Sequence, residues 1–183
     1  LGLWAAALST FTALDWTAYD FWLTDRAPIP VSQSLLIVTR DPASDEALGA
    51  GPCDRAVLAR LLTGAHESGA LVIGIDHRLD HASPAQLGGA ASDALLLEAM
   101  SAAGPIVVVQ SPEATLVSTQ TIAGHLLVTP HADRITRTVP MRASGDTQSV
   151  PAFGIALYEA FQQHTAPTEL PLSEGGTDSL LVN

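Results

Sequence analysis

Three apolar runs, Leu35–Thr39, Leu71–Ile75 and Ile106–Val109, are followed by Asp41, Asp76 and Ser111, and these polar end points are 35 residues apart in both intervals. Continuous Val, Ile and Leu without alternation is the pattern of strands buried on both faces, which in practice means parallel strands. Amphipathic stretches fill the intervals. Over Asp54–Ser68, Val57, Leu58, Leu61, Leu62 and Ala65 form one helical stripe, with Asp54 placed to cap its start and Gly69 to stop it in the left-handed region. A second helix begins near Ser92, which is placed to cap it, buries Leu95, Leu96, Ala99, Met100 and Ala103, and stops at Gly104-Pro105. Strands alternating with helices at this spacing predict an α/β fold with a largely parallel central sheet between helical layers.

The rhythm changes after Ser111. Gly124–Thr129 and Ile135–Met141 are separated by Pro130–Arg134, too short for a crossover, so an antiparallel hairpin addition is predicted there. Pro151–Gln163 reads as a third helix, with Phe153, Leu157, Ala160 and Phe161 facing inward, and Leu180-Leu181-Val182 as a last strand. At the other end, six of the nine aromatic residues fall within the first 22 positions. Trp4, Leu8, Phe11 and Trp22 align on one helical face, with Asp15 set into it, and Ala27-Pro28-Ile29-Pro30 closes the helix. That face packs on the chain's own sheet or on a partner; periodicity is the same for both.

Composition narrows the function classes. With 183 residues, 47% apolar and 15% charged, the chain suits a folded domain with a core. Its net charge of −11 and its eight basic residues, all arginine, leave no basic footprint for nucleic acid. Cys53 has no partner for an internal disulfide. Leu1–Leu14 is free of charge, but at 1.5 Å per residue it spans only about 21 Å, short of the roughly 30 Å of a bilayer core. It reads as the end of a longer apolar helix, and the chain as a piece of a larger protein.

Right-handed crossovers bring the ends of all three apolar runs to one edge of the sheet, where open α/β folds bind ligands. The candidate ligand-binding residues are therefore Asp41, Asp76 and Ser111, with Arg55 at the start of the first crossover helix. Arg55 either braces the two aspartates or holds an anionic group of a small ligand. Catalytic patterns are incomplete. Gly49-Ala50-Gly51 has Asp54 where a dinucleotide fingerprint needs glycine, no Gly-x-Ser-x-Gly elbow is present, and Ala43 stands where an aspartate-nucleophile phosphatase has its second aspartate. His77, Asp80 and His81 have the residue types for a metal, but sit in a loop that reads as solvated, so neither a metal nor a cofactor is predicted.

In chain order, several stretches resemble the type-2 CHASE domain, an extracytoplasmic sensory module of cyclases and kinases. They are Tyr19-Asp20-x-Trp22-Leu23-x-x-Arg26, Leu48-Gly49 with Pro52 and Arg55, and Ile73-Gly74-Ile75-Asp76. Asp93-Ala94-Leu95, Gly104-Pro105-Ile106-Val107, and Ala123-Gly124-His125 through Pro130-His131-Ala132-Asp133 and Arg137 to Val139-Pro140-Met141 continue the likeness. Two departures stand out: Gly51 and Cys53 where the family often has tryptophans, and Arg134 where a turn glycine is usual.

The resemblance implies a three-layer sandwich with a largely parallel central sheet, an antiparallel hairpin addition and a long N-terminal juxtamembrane helix. Residues 1–26 would form that helix and 27–183 the sensor domain. It further implies a periplasmic or extracellular, membrane-tethered input domain, not an enzyme, that passes a signal to a cytoplasmic cyclase or kinase. The expected partners are a small-molecule ligand and a second copy bound through the helix carrying Trp4, Leu8, Phe11 and Trp22. A hydrolase using the strand-end carboxylates and a structural dimerisation module are the alternatives.

Overall fold

A computed structural model describes residues 2–48, 55–79, 81–109, 121–131, 133–144, 149–165 and 179–181. Residues 1–39 and 40–182 form two separate compact units.

The first unit is built on helix α1, Gly2–Asp25, whose 24 residues extend about 36 Å. Its last turns carry an aromatic ladder: Trp16 and Tyr19 meet edge to face at 5.9 Å, and Tyr19 and Trp22 lie 6.3 Å apart. The Arg26 guanidinium caps the ladder 5.6 Å above the Trp22 ring, a cation–π contact. Trp4, Leu8 and Phe11 fall on α1, but their side chains lie outside the described part of the structure. Among the described residues no helix is long and apolar enough to cross a membrane. Leu35–Thr39, predicted as the first strand, is not one: the chain makes a turn at Ser32–Leu35 and continues without a ladder of hydrogen bonds.

The second unit contains the sheet. Strands β1 (Ile73–Ile75), β2 (Ile106–Val109) and β3 (Thr121–Gly124) are all parallel, in the order β1-β2-β3. Ile75 pairs with Val108, and Val108 with Ala123. The third parallel strand is therefore Thr121–Gly124, not Leu35–Thr39. The prediction missed it because Thr121-Ile122-Ala123-Gly124 is short and mostly small, and lacks the branched apolar run that marks a strand buried on both faces.

Helices cover both faces, as a three-layer sandwich requires. On one face Ile106, Val108 and Ile75 pack against helices α3 (Arg55–Glu67) and α4 (Gly89–Ala102) through Ala59, Leu62, Leu96, Ala99 and Met100. On the other face Val107 and Ile122 pack against helix α5 (Phe153–Gln162) through Phe153, Ala156, Leu157 and Ala160. Alternation along β2 sends its side chains to the two layers in turn. The helical stripes emerge largely as predicted, except that Leu61 and Leu95 at their margins are half exposed. Gly69, with φ of 89°, stops α3 as expected, its N–H donating to the His66 carbonyl.

Ser92 does something other than cap its own helix. Buried in the first turns of α4, its Oγ accepts the Ala56 N–H at 2.9 Å, so it caps α3 instead and joins the two helices. Asp54, the predicted cap of α3, lies outside the described residues. So does the Gly49–Gly51 turn, together with Cys53.

The antiparallel addition exists but uses other segments than predicted. β5 (Arg142–Ser144) pairs with β6 (Ser149–Pro151) as a hairpin, while β4 (Thr138–Pro140) pairs with β7 (Ser179–Leu181), the predicted last strand. Between the predicted arms the chain turns back, the His131 N–H donating to the Ile135 carbonyl and the Arg134 N–H to the His131 carbonyl. Among the described residues the arms do not pair with each other: Gly124 pairs with Val109 in β2, and on the other edge His125 bonds through its backbone to Pro151 and Phe153.

Two glycines set the distance between sheet and α5. A Cβ added to Gly124 would stand 2.7 Å from the Phe153 Cα, and one added to Gly74 would stand 2.8 Å from a Leu157 methyl. Backbone cannot yield as a side-chain tip can. Gly124→Ala is expected to lower stability by about 1–3 kcal/mol in denaturant unfolding, and Gly74→Ala by less, since Leu157 can rotate away.

Candidate functional site

The C-terminal edge of the sheet is the first place to look. β1 runs out into Asp76, which is exposed and makes no hydrogen bond or ion pair among the described residues, followed by exposed His77 and Arg78. Leu79, 5% exposed, turns back into the core and pins the loop. β2 leads toward Ser111, which lies outside the described residues. β3 delivers His125 to this edge, a residue that the sequence reading assigned to a hairpin.

The loop beyond β1 is held by a buried charge. Arg55, 7% exposed at the first turn of α3, donates through Nη1 to the Asp93 carboxylate and through Nη2 to the His81 carbonyl. Asp93, on α4, also accepts the Ser83 N–H at 3.2 and 3.1 Å. Two helix starts and one loop thus meet at a single ion pair. Arg55 does brace this end of the fold, but onto Asp93 and the His81 carbonyl instead of onto Asp41 and Asp76. An aspartate 38 residues along, on the exposed-looking start of another helix, gives no local sequence signal.

Asp41 has a local role. Its Oδ1 accepts the Ser44 N–H at 2.8 Å and the Ser44 hydroxyl at 2.6 Å, and its carbonyl accepts the Asp45 N–H, which makes it the N-cap of helix α2 (Pro42–Leu48). The Ser44 hydroxyl and amide hold its carboxyl below the ordinary value. Asp-Pro-x-Ser carries this signal in sequence, proline being suited to the first helical position. No hydrogen bond or ion pair links Asp41 to Arg55 or Asp76.

His77 and His81 are exposed, and Asp80 lies outside the described residues. Among the described residues no three His, Cys, Asp or Glu side chains are arranged to hold a metal. A cavity of about 180 Å³ is lined by Ile122, Ala123, Ser149, Val150 and Pro151, and Asp41, Arg55 and Asp76 are not among its lining residues.

The turn after His125 supplies a second buried arginine. Arg137, 3% exposed, donates Nη1 and Nη2 to the two oxygens of Asp133 at 3.1 and 2.7 Å. The guanidinium, with the Ile135 N–H, pulls the Asp133 carboxyl down to about 2. Between them Arg134 takes a φ of 66°, the left-handed region that a glycine would enter without strain. The departure from a glycine noted in the sequence is thus a conformational cost accepted in place.

The family comparison covers the full length: the model described as CHASE2 domain matches residues 1–183. No curated protein and no solved structure matches. CHASE2 domains are sensory domains of signalling receptors and not catalytic ones.

Two outcomes follow from this geometry. Asp93→Ala leaves Arg55 charged and buried, and is expected to cost about 3–5 kcal/mol in unfolding free energy, whereas Asp76→Ala stays within about 0.5 kcal/mol. Arg134→Gly relieves the left-handed backbone and is expected to raise stability by about 0.5–1 kcal/mol in the same assay.

Proposed function

The chain belongs to the CHASE2 family, and on that premise we propose that it is the extracytoplasmic input domain of a bacterial transmembrane receptor, lying in the periplasm or outside the cell. The match over residues 1–183 is the observation that carries this reading. In it, α1 continues a membrane helix, and the signal passes through α1 and the segment beyond Asn183 to a cytoplasmic cyclase or kinase.

A small polar ligand binds at the C-terminal edge of the sheet. Asp76 supports this: it is an exposed carboxylate immediately after a parallel strand, on a loop whose root is fixed by the Arg55–Asp93 pair. A fixed root under an exposed tip is how binding residues are commonly presented. Ser111 completes the edge in this reading, and Arg55 acts from beneath it by holding the loop. Ligand binding can shift the receptor only by its difference in affinity for two arrangements.

Dimerisation uses α1. Trp16, Tyr19 and Trp22 place a ring ladder along the helix, and a matching ladder of a second copy is its natural complement.

Native mass spectrometry of gently purified protein tests the ligand, with a bound small molecule expected on the wild type and lost on Asp76→Ala. Retention on the variant, together with unchanged output of the intact receptor, would exclude this edge. Sedimentation of the 1–183 chain is expected to show a dimer that weakens on Trp22→Ala. A monomer at every concentration would rule out pairing through α1 by this chain.

A further inference from the structure

His125 stands at the junction of β3, the β5–β6 hairpin and α5, and is 5% exposed. Its backbone ties the three together: its N–H donates to the Pro151 carbonyl and its carbonyl accepts the Phe153 N–H, both at 2.9 Å. The ring makes a further link, Nδ1 accepting the Leu127 N–H at 3.1 Å. A ring nitrogen that accepts carries no proton, so the neutral imidazole holds its proton on Nε2. Nε2 is enclosed, and among the described residues it meets no acceptor in full hydrogen-bonding geometry, although the Pro140 carbonyl is close enough to favour the charged ring.

This environment suits a neutral ring and opposes a charged one. Protonation at Nδ1 would set one N–H against the Leu127 N–H and bury a cation with no anion among the described residues beside it. Among the described residues, the charged and titratable groups on the surrounding elements are Asp133, Arg134, Arg137, Arg142, Tyr158, Glu159 and, on the same segment, His131. Arg137 pairs with Asp133 and Arg142 with Glu159, and none of these groups is among the influences on the ring. Burial lowers the proton affinity below the ordinary histidine value, and the Pro140 carbonyl offsets part of this.

Leu126, Leu127 and Val128 are 50%, 59% and 54% exposed, so apolar burial contributes modestly there. We propose that His125 is a proton-operated latch: the neutral ring fastens the Leu127 amide and with it the exposed stretch 126–128, and protonation in acid releases that stretch. The input is then proton concentration, independent of the small-molecule site proposed at Asp76.

The direction in pH follows from the lowered affinity. Above the ordinary histidine value of 6.5 both folded and unfolded chains are neutral at this ring, and the latch is fully closed. As the pH falls through that value the unfolded state takes up the proton first, so stability declines until the folded ring is itself protonated. Asp133, held near 2, stays ionised meanwhile and does not confuse the reading.

The test is NMR on the isotope-labelled 1–183 chain from about pH 7.5 to about 4.5, following the His125 ring nitrogens and amide exchange corrected for its intrinsic rate. The expected result is an Nε2–H tautomer that protonates below the ordinary histidine value of 6.5, with protection of the Leu127 amide falling about tenfold or more as it does so while Met100 and Val107 keep theirs. In His125→Gln, whose side-chain carbonyl can accept the Leu127 N–H but cannot titrate, protection is expected to persist in acid. Titration of His125 at or above the ordinary histidine value of 6.5, an unchanged Leu127 amide, an equal fall in the glutamine variant, or loss of the core amides together with Leu127 would each overturn the latch. Should His125→Gln fail to fold, the wild-type titration and exchange decide between the same outcomes.

Discussion

Strand β2 has no face left for water. Ile106 and Val107, adjacent and pointing to opposite sides, are both fully buried, and Val108 nearly so. A strand of this kind demands cover on both sides at once, and the layers of the second unit answer that demand: α3 and α4 beneath Ile106 and Val108, α5 above Val107. The parallel neighbours follow too, because every peptide group of a strand sealed from solvent needs a partner within the sheet.

Sealing the centre pushes chemistry to the rim, and there one ion pair organises what the apolar layers leave open. Arg55 and Asp93 join the beginnings of α3 and α4, and through the His81 carbonyl and the Ser83 amide they anchor the loop that carries Asp76. Buried charge of this sort adds little net stability compared with a well-packed apolar substitute, but separating the partners is costly. Its effect is on geometry: the loop root has one permitted position. The same arrangement recurs at Arg137 and Asp133, where a buried guanidinium fixes the turn beyond His125.

The parts legible in the sequence were those with a period. The stripes of α3, α4 and α5 and the runs of β1 and β2 were read from spacing alone, because burial on one helical face or on both strand faces leaves a mark every few residues. Leu35–Thr39 has the same apolar look as β2 and is not a strand, whereas Thr121–Gly124 looks weak and is one. Strand identity depends on a neighbour's hydrogen bonds, and a run of side chains does not encode who the neighbour is. The candidate site divides in the same way. Asp76 could be placed at the end of its strand by counting, while the partner of Arg55, the cap made by Ser92 and the enclosure of His125 all depend on residues distant in the chain.

The glycines at 74 and 124 bear on how such a domain can drift through sequence space. Each marks the place of a carbon whose absence lets α5 lie close on the sheet. At position 74 the facing group is a leucine tip, so a lineage that gains a methyl there can surrender one from residue 157 and keep the same layer spacing. At position 124 the facing atom is main chain, which no substitution can shorten, so that position has no compensating partner to drift with. The two sites look alike in the sequence, yet one is negotiable between neighbours and the other is held by the backbone itself.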